Sequence, residues 1–429
     1  MRITIAAAGS RGDVEPYIAL GKGLQTAGHY VRVMSHQNFD SLVSSHGLEF
    51  YGTAGNVQEI AQGNEMSGRI EKGSFLSVIS QMKREAETQA VEFANTGLVA
   101  CQGMDCMLAG VGGLFMAAAL AEKFRIPLLQ AYYIPFTPTG AFPSFLFPSL
   151  PKWSGRFANR LSYHIARQII WQGFRSADAL ARKQVLSLDK SPFFGPYKTL
   201  NDEELPILYG YSPSIIPPAP DWNENVRVTG FWFLDEPTDW KPPEDLVGFL
   251  ESGTPPVYIG FGSMSSKNPE ETANLVLSAL NETKQRAIIS SGWNGLMKKD
   301  LPSSVLMVDS VPFSWLFPKM AAVVHHGGAG TTHYGVRAGI PSVIVPFFGD
   351  QPFWANRTTK LGVGPEPIAR KKLTAERLAS AIKVALTDEA MRSRAFDLGS
   401  KIQAEKGVEN AVVTVQEIAK WFNKKIGAQ

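Results

Sequence analysis

The sequence predicts an α/β protein of two parallel-sheet lobes, on three observations. The chain opens with an apolar run, a glycine-containing turn, a helical stretch and a second apolar run. Short β-rich runs divided by polar or helical segments begin again at residue 257. Between the two regions, residues 235–244 (DEPTDWKPPE) are rich in proline and acid. Parallel strands need crossovers, and crossovers of this length are usually helical, so the alternation itself argues for parallel sheets.

Residues 3–8 read as a buried strand, followed by a loop over 9–12. Val14, Ile18, Leu20 and Leu24 are spaced for one covered helix face, and Gly28 stops that helix before the apolar run 30–34. Strand, turn, helix and strand in that order form a right-handed βαβ unit, the Rossmann-like arrangement. In the second half, residues 257–261, 286–290, 305–308, 321–324 and 342–345 give the corresponding strands. The prolines between the halves deny strand pairing, so 235–250 reads as a linker. The expected domains are therefore 1–234 and 251–429, with a cleft between them; the last helix is a candidate to pack back on the first lobe. Residues 132–151 carry aromatics and prolines without a period, an apolar irregular loop. Residues 156–175 read as a helix with Arg156, Arg160, His164 and Arg167 on one face and Phe157, Leu161 and Ile165 beside them. A solvated face is the plain reading of that helix, and a membrane-surface or anionic-ligand face is the alternative.

Composition excludes several classes. The chain has 429 residues, 44% apolar and 19% charged, which suits a folded protein with two cores. A net charge of +3 gives no reason to invoke nucleic acid. No stretch approaches the roughly 20 apolar residues of a membrane span. The opening MRITIAAAGSRGDVEP runs from a short apolar part straight into glycine and charge, unlike a signal peptide. Cys101 and Cys106 have no metal-ligand spacing and no disulfide framework. These features point to a soluble cytoplasmic chain, with peripheral membrane contact and oligomeric state left open.

The segment VVHHGGAGTTHYGVRAGIPSVIVPFFGDQPFWANR carries the strongest chemistry. A strand delivers His325 and His326 into a glycine turn, and a helix follows from about Gly330 to Ala338, with Gly339 as its stop. Gly327, Gly328 and Gly330 let backbone approach a ligand closely. The unpaired N–H groups of a first helical turn, at the positive end of the helix dipole, suit a diphosphate. Thr331 and Thr332 add hydroxyls, and His326 can donate to the β-phosphate. Asp350 and Gln351 fall beyond the next strand, at the carboxyl end where ligands of open α/β sheets bind. An acid beside an amide suits sugar hydroxyls, although Asp350 could equally be a helix N-cap. A phosphate cradle and a polyol reader one βα unit apart suggest a nucleotide-sugar site.

HHGGAGTT and FFGDQPFWANR, together with GSRGDVEPYIALGKGL, GFGSM and SSGW, resemble inverting nucleotide-sugar-dependent glycosyltransferases of the two-Rossmann (GT-B) architecture. The nearest look is to sterol 3-beta-glucosyltransferases and bacterial antibiotic and macrolide glycosyltransferases; residues 40–230 match poorly. The resemblance implies a donor site of His326, Gly328, Ala329, Gly330 and Thr331, with Asp350 and Gln351 reading the donor sugar. Plant members have Asn then Ser at Gly330 and Thr331, and a ribose-binding Glu at Tyr334. The reaction needs a general base for the attacking hydroxyl, and the resemblance implies Asp13, which could also cap the helix starting near Val14. It further implies that Ser10, Arg11 and Gly12 approach the donor phosphates, with Arg11 offsetting charge unless it forms a surface salt bridge. Gly262 and Ser263 would form a second phosphate loop. Trp293 would stack on the uracil, because the plant stacking Trp corresponds to Ser310 here, and Val311 would offer backbone groups to the base edge.

The leading expectation is transfer of a hexose, glucose from UDP-glucose, to a hydroxyl of a hydrophobic acceptor such as a sterol. Phe136, Phe142, Phe145 and Phe147 are the candidate acceptor walls. The UDP-sugar is a co-substrate, with no cofactor and no metal required. A dTDP-deoxysugar-dependent natural-product glycosyltransferase is the alternative, followed by a noncatalytic nucleotide-sugar-binding protein. A PLP-dependent phosphorylase shares the architecture, but no lysine sits in a matching loop.

Overall fold

The structure, a computed structural model, describes residues 1–53, 75–202, 205–236, 240–261, 269–290 and 301–426. Two compact units emerge from the contacts. The first takes the described residues up to Leu234, Phe75 excepted, and then residues 405–426; the second takes Phe75 and the described residues from Asp235 to Ala404.

The first unit is built on β1 (Arg2–Ala6), β2 (Tyr30–His36), β3 (Glu49–Thr53), β4 (Cys106–Ala109), β5 (Leu128–Tyr132), β6 (Ile207–Tyr209) and β7 (Val226–Val228). Among the described residues these pair in the order β3-β2-β1-β4-β5-β6-β7, every pair parallel. β1 is central, with Ile3 opposite Val31 on one side and Cys106 on the other. Ile3 and Ile5 are fully buried, as the continuous apolar run of a strand covered on both faces requires. The helix Arg11–Thr26 buries Val14, Ile18, Leu20 and Leu24, the face its spacing predicts, and Gly28 follows it at φ +87°. β3 to β7 lie within residues 40–230, the stretch in which the family resemblance is poor. Cys101 and Cys106 are buried free thiols.

The second unit is built on β8 (Val257–Gly260), β9 (Ala287–Ser290), β10 (Val305–Val308), β11 (Ala322–His325) and β12 (Ser342–Ile344). They pair in the order β10-β9-β8-β11-β12, again all parallel. The order of each sheet reverses once, between β1 and β4 in the first and between β8 and β11 in the second. Loops at the carboxyl ends of such neighbours diverge and leave a crevice.

Two expected boundaries shift. The presumed linker 235–250 ends early, because Glu244–Glu251 is a helix with Leu246 fully buried. Pro243 sits at its N-cap, where a missing N–H costs nothing, and Glu244 and Asp245 favour the positive end of its dipole. The second unit ends at Ala404 rather than at residue 429, and the last helix packs back on the first unit, as it was a candidate to do. The helix Gly407–Ile426 sends Ala411, Val412, Val415 and Ile418 into the core that holds Ile5, Ile18 and Leu20. Glu405 fixes the return by accepting from Ser212 and Ser214 hydroxyls at 2.7 Å each. An amphipathic helix displays its apolar face in sequence, but which sheet covers that face is a long-range choice.

Candidate functional site

In the first unit the loop leaving β1 is organised around Asp13. The helix begins at Arg11, earlier than Val14, so Ser10 rather than Asp13 is its N-cap. Asp13 stands three residues into the helix and its Oδ2 accepts the Ser10 N–H at 2.6 Å and the Ser10 hydroxyl at 2.7 Å. Its other oxygen, Oδ1, accepts the Tyr133 hydroxyl. Gly9 makes this geometry possible. It adopts φ +140°, and a Cβ there would lie 2.5 Å from Asp13 Oδ2. Tyr133 follows directly on β5, and its ring meets that of Tyr17 edge-on at 6.1 Å. Tyr17 donates to the Ala131 carbonyl at 2.7 Å. Burial, and after it the Asp13 charge, push the Tyr17 phenol well above its ordinary pKa, so it remains a donor.

Arg11 pairs with Glu15 one turn along, at 2.6 Å, on an exposed surface. Gly12 is exposed with open space around it. The four phenylalanines are not equivalent: Phe136 and Phe145 are core residues, whereas Phe142 and Phe147 are half-buried. Arg167 leaves the expected basic face entirely. It is buried, its Nε donating to the Phe136 carbonyl at 3.1 Å and its guanidinium lying 5.2 Å from both the Phe136 and Tyr197 rings.

In the second unit β11 ends at His325, and the chain turns through Gly327 and Gly328 into the helix Ala329–Arg337. The first intrahelical bond runs from Thr332 N–H to Gly328 O at 3.0 Å. The N–H groups of Ala329, Gly330 and Thr331 therefore have no intrahelical acceptor and point out of the helix start. The His326 ring lies over this opening: a Cβ on Gly328 would be 2.6 Å from its Nε2. Burial lowers His326 to a pKa of about 4, so the ring is neutral near pH 7, and its Nδ1 is buried without a partner among the described residues. His325 is a structural neighbour, its Nδ1 accepting the Gly327 N–H at 3.0 Å. Thr332 is also withdrawn, because its hydroxyl is committed to Gly328 O at 2.9 Å. Thr331 keeps a half-exposed position at the helix start.

The second segment lies beside the first. A Cβ on Gly327 would come within 3.1 Å of the Gln351 carbonyl oxygen. Asp350 occupies the N-cap position of the helix Gln351–Leu361 but makes no side-chain cap bond; its Oδ2 accepts the Trp354 indole N–H at 2.8 Å. Trp354 is fully buried, edge-on to His333 at 4.9 Å, which ties the two helices together. Gln351 is only partly available for the expected role. Its Oε1 accepts the N–H groups of Phe347 and Phe348 at 2.7 and 3.2 Å, so the carbonyl holds the loop and only its NH2 can serve a ligand. Val311 is half-buried in the loop leaving β10. Gly262, Ser263 and Trp293 lie outside the described residues.

Residues 3–143 match the glycosyltransferase family 28 N-terminal domain, and residues 274–418 match the erythromycin biosynthesis protein CIII-like C-terminal domain. A sterol 3-beta-glucosyltransferase of Arabidopsis thaliana is 36% identical over 426 residues, 96% of this chain and 67% of the relative. The chain belongs to the sterol 3-beta-glucosyltransferase family. Another member, from Cryptococcus neoformans var. neoformans serotype D (strain JEC21 / ATCC MYA-565), is 36% identical over 97% of this chain. The chain spans only about a quarter of that fungal relative's length, 27%. Among solved structures, the glycotransferase of kitacinnamycin aligns with a TM-score of 0.66 at 19% identity, covering 97% of this chain and 98% of that one, a likeness of fold.

In this sterol 3-beta-glucosyltransferase family member, Tyr133 and Trp354 escaped the sequence reading, and each holds a carboxylate that it singled out. Tyr133 lies 120 residues from Asp13, beyond any local pattern. Trp354 follows Asp350 by four residues, one helical turn, and that spacing was available as a signal.

Proposed function

We propose that the chain transfers glucose from UDP-glucose to the hydroxyl of a sterol with inversion at the anomeric carbon. The observation that carries the proposal is the start of the helix Ala329–Arg337, where three N–H groups without intrahelical acceptors lie beneath His326 and beside the Asp350 loop. The family relationship supports the sterol acceptor, since the relatives named above are sterol 3-beta-glucosyltransferases.

In this reading the diphosphate rests on the N–H groups of Ala329, Gly330 and Thr331, and His326 Nε2 donates to it. Asp350 accepts from donor-sugar hydroxyls, and the Gln351 NH2 donates to them. The acceptor oxygen attacks the anomeric carbon as the bond to the β-phosphate oxygen breaks. The acceptor proton passes to Asp13, and the nucleoside diphosphate leaves with the bonding pair. Asp13 suits a base because Ser10 and Tyr133 fix its orientation in advance. Charge on the leaving diphosphate is met by the helix dipole and His326, so the reaction proceeds without a divalent metal and survives EDTA. The compartment proposed is the cytoplasm; among the described residues no helix is long and apolar enough to cross a membrane.

The test is incubation of the chain with UDP-glucose and a detergent-dispersed sterol, with mass spectrometry for the steryl glucoside and an assay for released UDP. A steryl glucoside that disappears in Asp13→Asn supports the reading. Absence of both product and UDP release from folded protein that binds UDP would overturn it.

A further inference from the structure

The helix Gly155–Ala181 buries one face and leaves another uncovered. Tyr163, Ala166 and Trp171 face the core, while Phe157 is 80% exposed and Leu161 and Ile165 are 43% exposed each. Trp153, four residues ahead of Phe157, is 87% exposed. Residues four apart lie one above another on a helix, so Phe157, Leu161 and Ile165 form a single stripe with Trp153 at its entry. Phe193 and Phe194 extend it. The Phe193 carbonyl accepts from Gln168, Trp171 and Gln172, which seats that loop on the next turns of the same helix. Both rings are exposed, at 56% and 72%. Scattered apolar residues on a surface are ordinary, but three large ones on one helix continued by three more in the segments beside it are a contact surface.

The charge around the stripe is one-sided. Each stripe residue of the helix follows a basic or imidazole side chain: Arg156 before Phe157, Arg160 before Leu161, His164 before Ile165. Residues 152–198 contain nine Lys and Arg against two Asp, and of the nine Arg167 and Arg182 are buried and do not reach the surface. One of those carboxylates, Asp178, is buried and committed to Arg182 at 3.0 Å. Arg156 and Arg160 share the carboxylate of Asp221, at 3.8 and 2.8 Å, while their own side chains stay 71% and 55% exposed. Arg175 lies over the Phe193 ring at 4.8 Å and is exposed. Indole, phenyl and aliphatic groups flanked by guanidinium groups match the boundary between acyl chains and anionic headgroups.

We infer that this stripe, from Trp153 to Phe194, docks the chain peripherally on an anionic lipid bilayer. The helix lies along the interface with Phe157, Leu161 and Ile165 in the acyl boundary. The arginines meet phosphate and carboxylate headgroups. Docking is a property of the first unit alone and does not depend on which donor or acceptor is used.

The test is co-sedimentation of the 429-residue chain with vesicles of phosphatidylcholine alone and of phosphatidylcholine with phosphatidylserine. Binding is expected on the phosphatidylserine vesicles and weakens as salt is raised. The triple variant Trp153→Ala, Phe157→Ala, Phe194→Ala alters only exposed side chains, so its melting temperature stays that of the parent while vesicle binding falls about tenfold or more. Arg156→Glu with Lys190→Glu removes the preference for phosphatidylserine. Failure of the parent to bind phosphatidylserine vesicles would overturn the inference, as would undiminished binding by the triple variant. A dimer in sedimentation velocity that the triple variant dissolves would also overturn it, by assigning the stripe to a second copy of the chain.

Discussion

Replacing Gly328 by alanine isolates the role of His326. The backbone at 328 has φ −61° and ψ 149°, which alanine adopts freely, so the substitution carries no conformational strain of its own. Its Cβ would, however, lie 2.6 Å from His326 Nε2. Carbon and nitrogen settle at about 3.5 Å, so the ring has to retreat by roughly 1 Å. A hydrogen bond to a charged phosphate stretched by that amount is largely lost, and such bonds contribute about 1.5–3 kcal/mol. UDP affinity measured by calorimetry should therefore fall about 10- to 100-fold. Loss of glycine from the N-cap position adds only a few tenths to about 1 kcal/mol of helix destabilisation, which thermal unfolding reads separately. The decisive comparison is a double-mutant cycle with His326→Ala. Gly328→Ala should cost little in that background, because the ring it displaces is gone. An equally large loss in both backgrounds would refute the reasoning, and would show that alanine acts on the helix N–H groups directly.

The remaining expectations concern the carboxylates and the buried histidines. Asp13→Asn should lower kcat about 10²- to 10⁴-fold while UDP binding stays unchanged, and a normal rate would remove Asp13 as the base. Gly9→Ala forces a side chain to within 2.5 Å of Asp13 Oδ2 at a positive φ, so kcat should fall about 100-fold with the melting temperature only slightly reduced. Asp350→Ala should raise the KM for UDP-glucose about tenfold or more and spare UDP itself; equal effects on both would place Asp350 in structure rather than in sugar recognition. Stability should fall on acidification. Burial lowers His325 to a pKa of about 3, with neighbouring His326 adding to the effect, and lowers His333 to about 4. Below pH 6.5 the unfolded chain takes up protons that the folded one refuses, so stability is full above 6.5 and declines down to about 4 for His333 and about 3 for His325. At pH 5 each of these two histidines should contribute a loss of about 2 kcal/mol, and an unchanged melting temperature between pH 7 and pH 5 would contradict this.

Local signals made part of this protein readable without coordinates. The strand–glycine–helix order at residues 3–28 and 322–339 states its own geometry, since a turn into a helix start needs glycine where backbone crowds and an apolar stripe where the sheet covers it. Those signals were enough to single out the turn at His326 and Gly328 as a candidate, whereas Asp13 was reached only through the family resemblance. The signals failed for Glu244–Glu251, where two prolines ahead of the helix looked like a linker; the helix Gly407–Ile426 does pack back on the first unit, the placement for which it was a candidate, although its apolar face does not by itself say which unit covers it.

The sequence by itself determined two parallel α/β sheets and a phosphate-type helix start, because strand and helix periodicity and glycine turns depend on residues close along the chain. Only the tertiary structure decided which polar atoms remain for a ligand. Gln351 loses its carbonyl to the Phe347 and Phe348 N–H groups, Thr332 its hydroxyl to Gly328, and Arg167 its charge to the interior, while Asp13 gains Tyr133 from 120 residues away. A side chain's type fixes how many hydrogen bonds it can make, but the partners that fill them are set by chain segments that meet only on folding.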